Sequence, residues 1–240
     1  MCLLNTIPFT WIMYVGIKGL NTLNSKTIRN AGVLLHITSL PSKYGIGDLG
    51  EEAYQFADWL HAADVRLWQI LPLGPTGFGN SPYAARSTFA GNELLISLDS
   101  LYHERLLRAD ELESFPSFSD TKVLFSELQP VKLTLLKRAA IRFIEQQKNL
   151  QPNFLDFCST HSFWLDDYAL FMVLYELYQD ARWFSHWPTE YRTRDSSALA
   201  TFSQEHALQI TIWKVLQFFF SVQWEAFTAY VHSKNIQLVG

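Results

Sequence analysis

The feature that most constrains the fold of this chain is a pair of short, continuous apolar runs joined by one amphipathic stretch. The runs are AGVLLHI (31–37) and VRLWQILPL (65–73). Between them, apolar residues recur every three or four positions: Leu49, Ala53, Phe56, Leu60 and Ala63. This spacing predicts a helix with one buried face. Because continuous apolar runs are typical of parallel strands covered on both faces, the sequence predicts an α/β fold built on a right-handed βαβ unit.

Three glycines follow the first run in the pattern G-x-G-x-x-G, at Gly45, Gly47 and Gly50. In a dinucleotide-binding fold the first glycine directly follows the strand, and an acidic residue ends the second strand. Here TSLPSKY separates the run from the glycines, and the second run ends in LPLGP without a carboxylate. The glycines therefore indicate a tight turn over the end of the first strand. Asp48 is predicted to cap the helix, with Glu51 as its capping-box partner.

The segment LPLGPTGFGNSPYAARSTFAGN (71–92) is rich in turn-forming residues, yet it carries three aromatic side chains, Phe78, Tyr83 and Phe89. A long loop of this kind after a strand is typical of the ligand surface at the C-terminal face of an α/β barrel. The alternative is a rigid surface loop whose aromatic rings pack on one another. The composition of the loop alone leaves both interpretations open.

Three blocks together resemble one known family: GVLLHITSLPSKYGIGDLG, WQILPLGPTGFGNSPYAARSTFAGN and FWLDDYALFMVL (163–174). In order and spacing they are similar to the N-terminal part of the amylomaltases, the disproportionating 4-α-glucanotransferases of glycoside hydrolase family 77. The resemblance runs from about residue 30 to the last residue. It implies an α/β fold, the N-terminal part of a (β/α)8 TIM barrel with about three of its eight strands and a large helical insertion after the second strand.

This resemblance and the residue patterns divide the chain into four segments. Residues 1–28 are an N-terminal extension of uncertain status, and 29–98 hold the first two barrel strands and the substrate loop. Residues 99–234 are a mainly helical insertion. The final segment, 235–240, contains the apolar run IQLV and is predicted to be a third parallel strand, with the chain truncated there.

Three stretches of the predicted insertion have the composition or spacing of helices. In 131–148, a set of basic residues is predicted to face solvent: Lys132, Lys137, Arg138, Arg142 and Lys148. The stretch 163–178 is apolar nearly all round, which predicts a buried helix. In 204–233, an apolar stripe is predicted to contact the core: Leu208, Ile212, Val215, Phe219, Val222, Ala226 and Ala229.

The resemblance implies that the loop contributes part of a sugar-binding surface. Tyr83 matches the family tyrosine that stacks beside the sugar at the cleavage point, and a flat ring fits a sugar's C–H face. Ser81 matches a neighbouring polar contact. Phe78 falls where many relatives have a tyrosine that helps hold a second glucan chain, so the hydroxyl is lost here. Asn92 is expected to fix the loop, and AARSTF departs from the commoner Gln or Ser after the tyrosine.

The catalytic residues of the family are not found among the acidic residues of this chain. Retaining cleavage of a glycosidic bond needs two carboxyl groups about 5 Å apart, as nucleophile and acid/base. In the family these groups, and a second Asp, lie on later strands, and the sequence ends one residue before another family Asp. The acidic residues present are interpreted as caps and surface groups: Asp48, Asp58, Asp64, Asp99, Asp166 and Asp167.

Three hypotheses for function follow. The first is a 4-α-glucanotransferase whose chain is truncated and inactive alone. The second is a non-catalytic α-glucan-binding protein that kept the Tyr83 loop. An unpaired apolar strand at 235–240 argues against it, because such an edge favours aggregation. The third and weakest is a hydrolase of the wider α-amylase group.

Composition excludes several other classes of protein. A formal net charge of −4 provides no excess of positive charge that would favour binding of nucleic acid. The apolar stretch 7–17 is too short to span a bilayer, and no Lys or Arg precedes it as in a signal peptide. Cys2 and Cys158 are too few for a disulfide framework or a metal site. We expect a cytoplasmic protein without metal or cofactor, whose partners are α-1,4-glucans and malto-oligosaccharides rather than nucleic acid or membranes.

Overall fold

The structure is a computed structural model that describes residues 31–119, 121–180 and 182–240, except for the side chain of Phe78. The predicted extension, 1–28, lies outside the described residues. The strands are β1 (Gly32–Leu34), β2 (Leu67–Gln69) and β3 (Gln237–Val239). The helices are α1 (Glu51–Ala62), α2 (Leu98–His103), α3 (Ala109–Glu113), α4 (Phe125–Glu145), α5 (Pro152–Thr160), α6 (Ser162–Tyr178), α7 (Trp183–His186), α8 (Thr189–Arg192), α9 (Ser196–Glu205) and α10 (Ala207–Ser233).

The three strands form one parallel sheet in the order β1-β2-β3. In its register Gly32 lies opposite Leu67, and Leu67 lies opposite Gln237. The helix α1 connects β1 to β2, and the helices α2 to α10 lie between β2 and β3. The predicted strands, the βαβ connection and the parallel third strand are therefore confirmed, although each strand is shorter than its apolar run.

Trp68 of β2 is the centre of the contact between the sheet and the helices. It is fully buried, with its ring 4.9 Å from Phe56 of α1 and 5.7 Å from Phe227 of α10. Its indole N–H donates to the carbonyl of Leu35 at 2.8 Å. Leu34 of β1, in contrast, is 60% exposed. The prediction that β1 is covered on both faces is therefore wrong for the described residues, because α1 and α10 pack around Trp68 and leave Leu34 open.

Helix α10 is the centre of the helical core and packs against α4, α5, α6 and α1. The stripe predicted for it is only partly correct, since Leu208 and Val222 are 52% and 43% exposed and Ala226 and Ala229 are exposed. A 3.5-residue repeat drifts by about 20° per heptad around a straight helix, so the last members of the stripe turn away from the core. The side that stays buried includes Leu216, Phe220, Phe227 and Val231.

Helix α6 is buried along one side rather than all round. Its buried residues are Leu165, Tyr168, Ala169, Met172, Val173 and Leu174. Phe163 and Leu177 are 69% and 55% exposed, which corrects the prediction of a wholly buried helix. None of the helices in the described part of the chain is both long enough and apolar enough to cross a membrane.

Asp48 and Lys132 form a buried ion pair, which overturns two predictions. Lys132 Nζ lies 2.7 Å from Asp48 Oδ2, and their side chains are 0% and 3% exposed. Lys132 therefore does not face solvent, and Asp48 is neither a helix cap nor a surface group. The N-cap position of α1 is Gly50 instead. Burial raises the pKa of Asp48, while the charge of Lys132 acts in the opposite direction.

Most of the other basic residues on α4 also have partners within the fold. Glu111 of α3 is buried and accepts hydrogen bonds from Arg142 at 2.6 Å and Arg138 at 3.1 Å. Lys137 pairs with Glu176 of α6, and Lys148 Nζ donates to the carbonyl of Glu104 at 3.4 Å. Arg138 is 49% exposed, as predicted, whereas Lys137 and Arg142 form ion pairs that tie α4 to α6 and α3.

The glycines after β1 allow close packing within the loop, as the sequence predicts. Gly45 has φ +72°, in the left-handed region that favours glycine. A Cβ atom on Gly47 would lie 2.1 Å from the carbonyl oxygen of Ile37, too close for any other residue. These two positions account for the glycine pattern by backbone geometry, without a phosphate ligand.

Candidate functional site

The loop that follows β2 folds back on itself in a hairpin, residues 75–86, which we call the Tyr83 hairpin. Its stem is closed by two main-chain hydrogen bonds. Gly77 N–H donates to the carbonyl of Ala84 at 2.7 Å, and Arg86 N–H donates to the carbonyl of Pro75 at 2.9 Å. The loop therefore has a defined shape and holds its tip, 78–83, beyond the paired stem.

The tip turns tightly through a 3-10 helix, Phe78–Asn80. Gly79 and Asn80 have φ angles of +73° and +54°. Glycine and asparagine are the residue types that adopt this left-handed conformation most readily. The residues FGN therefore explain why the chain reverses direction at the tip of the hairpin.

Tyr83 and Ser81, two of the three predicted site residues, lie together at the tip. Tyr83 is 74% exposed, so it is not a packing residue of the loop. Ser81 is half-buried, and its Oγ accepts a hydrogen bond from Tyr83 N–H at 3.3 Å. The main chain of Phe78 belongs to the same tip, and its side chain lies outside the described structure. The tip therefore presents an aromatic ring face to solvent.

The base of the hairpin is attached to α6 through Arg86. The guanidinium carbon lies 4.5 Å from the centre of the Tyr175 ring, and Nη2 donates to the Tyr175 hydroxyl at 3.3 Å. Farther along the loop, Phe89 is 50% exposed and packs edge-on against Phe163 at 5.3 Å. Phe89 thus packs on α6.

The loop ends in a buried segment fixed by side-chain amides. Asn92 is 3% exposed, its N–H donates to the carbonyl of Leu73 at 2.8 Å, and its Oδ1 accepts from Leu94 N–H at 3.0 Å. The prediction that Asn92 fixes the loop is confirmed. Gln217 of α10 also bonds the main chain of Gly91. The sequence patterns did not single out Gln217, although a glutamine within an apolar helical run is a signal for a buried polar contact.

His36 joins the ends of β1 and β2, and the sequence patterns did not single it out either. Its Nδ1 accepts a hydrogen bond from Thr38 N–H at 3.2 Å. The proton is therefore on Nε2, which lies 3.3 Å from the carbonyl of Pro72 and donates to it. Burial lowers the pKa of His36. The neutral ring thus holds together the two strand ends from which the glycine loop and the Tyr83 hairpin start.

The carboxylates that bear on the site include the six aspartates interpreted from the sequence and two buried glutamates. Five that the sequence assigned to caps and the surface are at least partly exposed and paired with cations: Asp58 with Lys234, Asp64 with Arg66, Asp99 with Lys43, Asp166 with Lys214, and Asp167 with Arg194. Asp48, Glu93 and Glu111 are buried. Burial raises the pKa of Glu93, opposed by Arg86 and Lys137. Among described residues, no His, Cys, Asp and Glu side chains are grouped to hold a metal ion.

These features give the Tyr83 hairpin the properties of a binding surface. The exposed ring of Tyr83 offers an apolar face, and the hydroxyls of Tyr83 and Ser81 offer polar contacts beside it. Glu93, the acidic residue nearest in sequence, does not add acid/base chemistry at the tip, because it is buried. The geometry therefore fits recognition of a molecule with alternating apolar and hydroxyl-bearing surface.

Comparison with known proteins identifies the family. Residues 35–240 match the family model described as 4-alpha-glucanotransferase. The 4-alpha-glucanotransferase of Synechocystis sp. is 41% identical over 213 residues, which cover 88% of this chain and 42% of the relative. That of Aquifex aeolicus is 39% identical over 215 residues, covering 89% and 42%.

Solved structures agree with the sequence relatives. The amylomaltase from Streptococcus agalactiae, in complex with acarbose, matches with a TM-score of 0.82 and 34% identity, covering 88% of this chain and 42% of that one. The amylomaltase from Corynebacterium glutamicum is 18% identical with a TM-score of 0.59, and shares the fold. This chain spans about 42% of the length of the first curated relatives it matches. The resemblance seen in three sequence blocks is confirmed, and the chain belongs to the 4-alpha-glucanotransferase family, glycoside hydrolase family 77.

Proposed function

We propose that this chain functions as part of a 4-α-glucanotransferase. The enzyme transfers a segment of an α-1,4-glucan to the 4-hydroxyl of an acceptor glucan or glucose. The observation that carries this proposal is the exposed ring of Tyr83 at the tip of a closed hairpin, in a chain of this family. Its partners are α-1,4-glucans and malto-oligosaccharides, with no nucleic acid or membrane involved.

The proposed role of the hairpin is to hold sugar next to the reacting bond. The ring of Tyr83 stacks on the C–H face of a glucose unit, and Ser81 contributes a hydroxyl contact. Phe78 contacts a second glucan chain through its ring, without the hydroxyl of a tyrosine. Because Ser81 Oγ already accepts from Tyr83 N–H, it remains able to donate its own proton to a sugar oxygen.

The proposed reaction is a retaining double displacement. A carboxylate nucleophile takes one part of the glucan as a covalent glycosyl-enzyme, and the acceptor 4-hydroxyl replaces water in the second step. We assign neither carboxyl group to this chain, because the family resemblance places both on later strands, and Asp58, Asp64, Asp99, Asp166 and Asp167 are paired with cations. This 240-residue chain is therefore proposed to be inactive alone. The loop 74–92 favours transfer by orienting the acceptor and excluding water.

We also propose that β1, β2 and β3 are the first three strands of a (β/α)8 barrel. The segments are then 29–98 for the first two strands and their loops, 99–234 for a helical insertion, and 235–240 for the third strand. Two features support this: the strands are parallel, and the Tyr83 hairpin follows the C-terminal end of β2, where barrel enzymes have their active sites. The exposed Leu34 is an apolar surface that further barrel elements would cover. The enzyme is proposed to be cytoplasmic and to need neither metal nor cofactor.

An experiment with two forms of the protein tests these proposals. One form is the 240-residue chain. The other is this chain joined to the region of the Synechocystis relative that follows the matched segment. Each is incubated with maltotriose, and the products are separated by chromatography. We expect the joined form to yield glucose and longer malto-oligosaccharides, and the chain alone to leave maltotriose unchanged.

The same two forms distinguish the other hypotheses, when binding of maltoheptaose is also measured by calorimetry. Cleavage to glucose and maltose without longer products would indicate a hydrolase of the α-amylase group. Binding of maltoheptaose by both forms, with no conversion by either, would indicate a non-catalytic glucan-binding protein. Conversion by the purified chain alone would mean that the catalytic carboxylates lie in this chain after all.

A further inference from the structure

Arg86 belongs at once to the hairpin stem and to the helical core. Its main-chain N–H closes the stem on the carbonyl of Pro75 at 2.9 Å. Its side chain lies on the ring of Tyr175 in α6, and Nη2 donates to the Tyr175 hydroxyl at 3.3 Å. The orientation of the stem is therefore linked to α6 through this residue.

The charges around Arg86 come from separate parts of the chain. Glu93 follows the loop and is 3% exposed. Lys137 of α4 and Glu176 of α6 pair with each other. Burial raises the pKa of Glu93, Arg86 and Lys137 act in the opposite direction, and Glu176 raises it further.

A second feature of this region is a pair of buried polar atoms without a hydrogen-bond partner. Arg86 Nε and Glu93 Oε2 are both buried, and neither has a hydrogen-bond partner within the described chain. In a region shielded from water, charges that are not in contact still attract one another. Breaking one member of a buried pair leaves the other uncompensated. The two residues should therefore behave as a unit.

We propose that Arg86 is a positioning residue, which fixes the Tyr83 hairpin on α6 through the ring and the hydroxyl of Tyr175. This role rests on the proposed function and deepens it, because the hairpin carries the residues assigned to sugar binding. Tyr83 is 74% exposed and receives little support from its own packing. Its position therefore depends on how firmly the stem is held, and a preorganised binding group needs such a support.

The first test measures hydrogen exchange at the stem in the 240-residue chain. Arg86→Met keeps an unbranched apolar stem and removes the charge and the planar guanidinium. We expect exchange of the Gly77 amide, and of the amide at position 86, to become about tenfold faster. Exchange of amides in the middle of α10 and the melting temperature should stay close to their original values. This pattern would mark local loosening of the hairpin, without global unfolding.

Two further variants and a control make the result specific. Glu93→Gln should accelerate hydrogen exchange of the same amides. It should have little additional effect on exchange in the Arg86→Met background, because the two residues are expected to act as a pair. Arg86→Lys, which keeps the charge, should restore part of the protection. Arg66→Met is the control: Arg66 is an exposed arginine paired with Asp64 elsewhere on the surface, and its loss should leave the hairpin amides unchanged.

The outcomes decide the proposal without any measurement of glucan transfer. Equal exchange at Gly77 in the original protein and in Arg86→Met would overturn it. Faster exchange throughout α10 with a lower melting temperature would also overturn it, since Arg86 would then be an ordinary packing residue. Additive effects of Arg86→Met and Glu93→Gln would exclude their pairing. If the hairpin loosens as expected but the joined enzyme has no transferase activity, the positioning role stands and the proposed function does not.

Discussion

The side-chain amide of Gln217 pairs with both main-chain polar groups of Gly91. Oε1 accepts from Gly91 N–H at 2.9 Å, and Nε2 donates to the Gly91 carbonyl at 3.0 Å. Farther along α10, Gln223 forms the same pair of bonds with Ser97, at 2.7 and 3.3 Å. The two glutamines thus provide hydrogen-bond partners for buried main-chain N–H and carbonyl groups that follow the Tyr83 hairpin. No strand of the described chain pairs with this segment.

Replacement of Gln217 should destabilise the fold strongly. Gln217→Met keeps the length of the side chain but leaves the N–H and carbonyl of Gly91 buried and unpaired, which we expect to cost about 2 to 4 kcal/mol. Urea denaturation would measure the change in the free energy of unfolding. The control is Gln55→Met on α1, where an exposed bond to Glu51 is lost and the change should stay within about 0.5 kcal/mol. Equal effects at both sites would contradict the importance of these buried bonds.

The glycine pattern should matter for packing and not for nucleotide binding. In Gly47→Ala the new methyl group would lie 2.1 Å from the carbonyl oxygen of Ile37 and 2.8 Å from that of Leu40. Because both contacts are with main chain, we expect a loss of about 3 kcal/mol or more in the free energy of unfolding. Calorimetry of the unmodified chain with NAD should detect no binding. Tight binding of NAD would restore the dinucleotide interpretation.

The buried pair of Asp48 and Lys132 should tolerate joint replacement better than the loss of one partner. Lys132→Met leaves an uncompensated buried carboxylate, and we expect it to cost about 3 to 5 kcal/mol. The double variant Asp48→Leu/Lys132→Met should recover most of that loss. Lys43→Met, which breaks an exposed pair with Asp99, is the control and should cost less than about 1 kcal/mol. Equilibrium unfolding of all four proteins checks this, and a double variant as unstable as Lys132→Met would contradict it.

Acid should destabilise the contact between α3 and α4 through Glu111. Hydrogen bonds from Arg142, together with those from Arg108 N–H and Arg138, lower the pKa of Glu111 from 4.5 to about 2. A carboxyl group with a lowered pKa stabilises the folded state above its unfolded pKa, and this stabilisation is lost as the pH falls from about 4.5 towards 2. The shift corresponds to about 3 kcal/mol.

Urea denaturation over this acidic range would measure that loss. Glu111→Gln should be less stable at neutral pH and should lose less stability on acidification. Arg142→Met removes the partner instead of the acid and should flatten the same part of the profile. An unchanged acid profile in both variants would show that other carboxyl groups dominate the acid response.

Replacement of Tyr83 should reduce catalysis and leave stability nearly unchanged. In the chain joined to the Synechocystis region, Tyr83→Ala should lower kcat/KM for maltotriose about fivefold to 150-fold, since one stacked ring contributes roughly 1 to 3 kcal/mol. Because Tyr83 is 74% exposed, the melting temperature should barely change. Tyr102→Ala, at another exposed tyrosine, is the control for loss of a surface ring. A large fall in melting temperature with normal kinetics would mean that Tyr83 supports the loop.

Local patterns in the sequence predicted the parts of this fold that depend on neighbouring residues. The apolar runs indicated the positions of all three strands, because apolar and β-branched residues are enriched in strands, although the structure leaves Leu34 of β1 60% exposed. The glycines of GIGDLG predicted a tight turn, because only certain residues adopt left-handed backbone angles or allow close main-chain contact. The three sequence blocks likewise indicated the 4-alpha-glucanotransferase family, because their order and spacing can be compared without knowledge of tertiary contacts.

Contacts between distant residues were decided only by the tertiary structure. Asp48 and Lys132 are 84 positions apart, and Gln217 and Gly91 are 126 apart. From their local sequence, Lys132 is predicted to be a surface lysine and Asp48 a helix cap. This is because a charged side chain is stable away from solvent only when a partner of opposite charge lies beside it. Packing of α4 against the glycine loop supplies that partner, and packing of α10 against 91–97 supplies the two glutamines. The sequence by itself determined the local elements and the family, whereas the pairing of buried polar groups required the assembled chain, since their stability depends on partners that only the fold brings within reach.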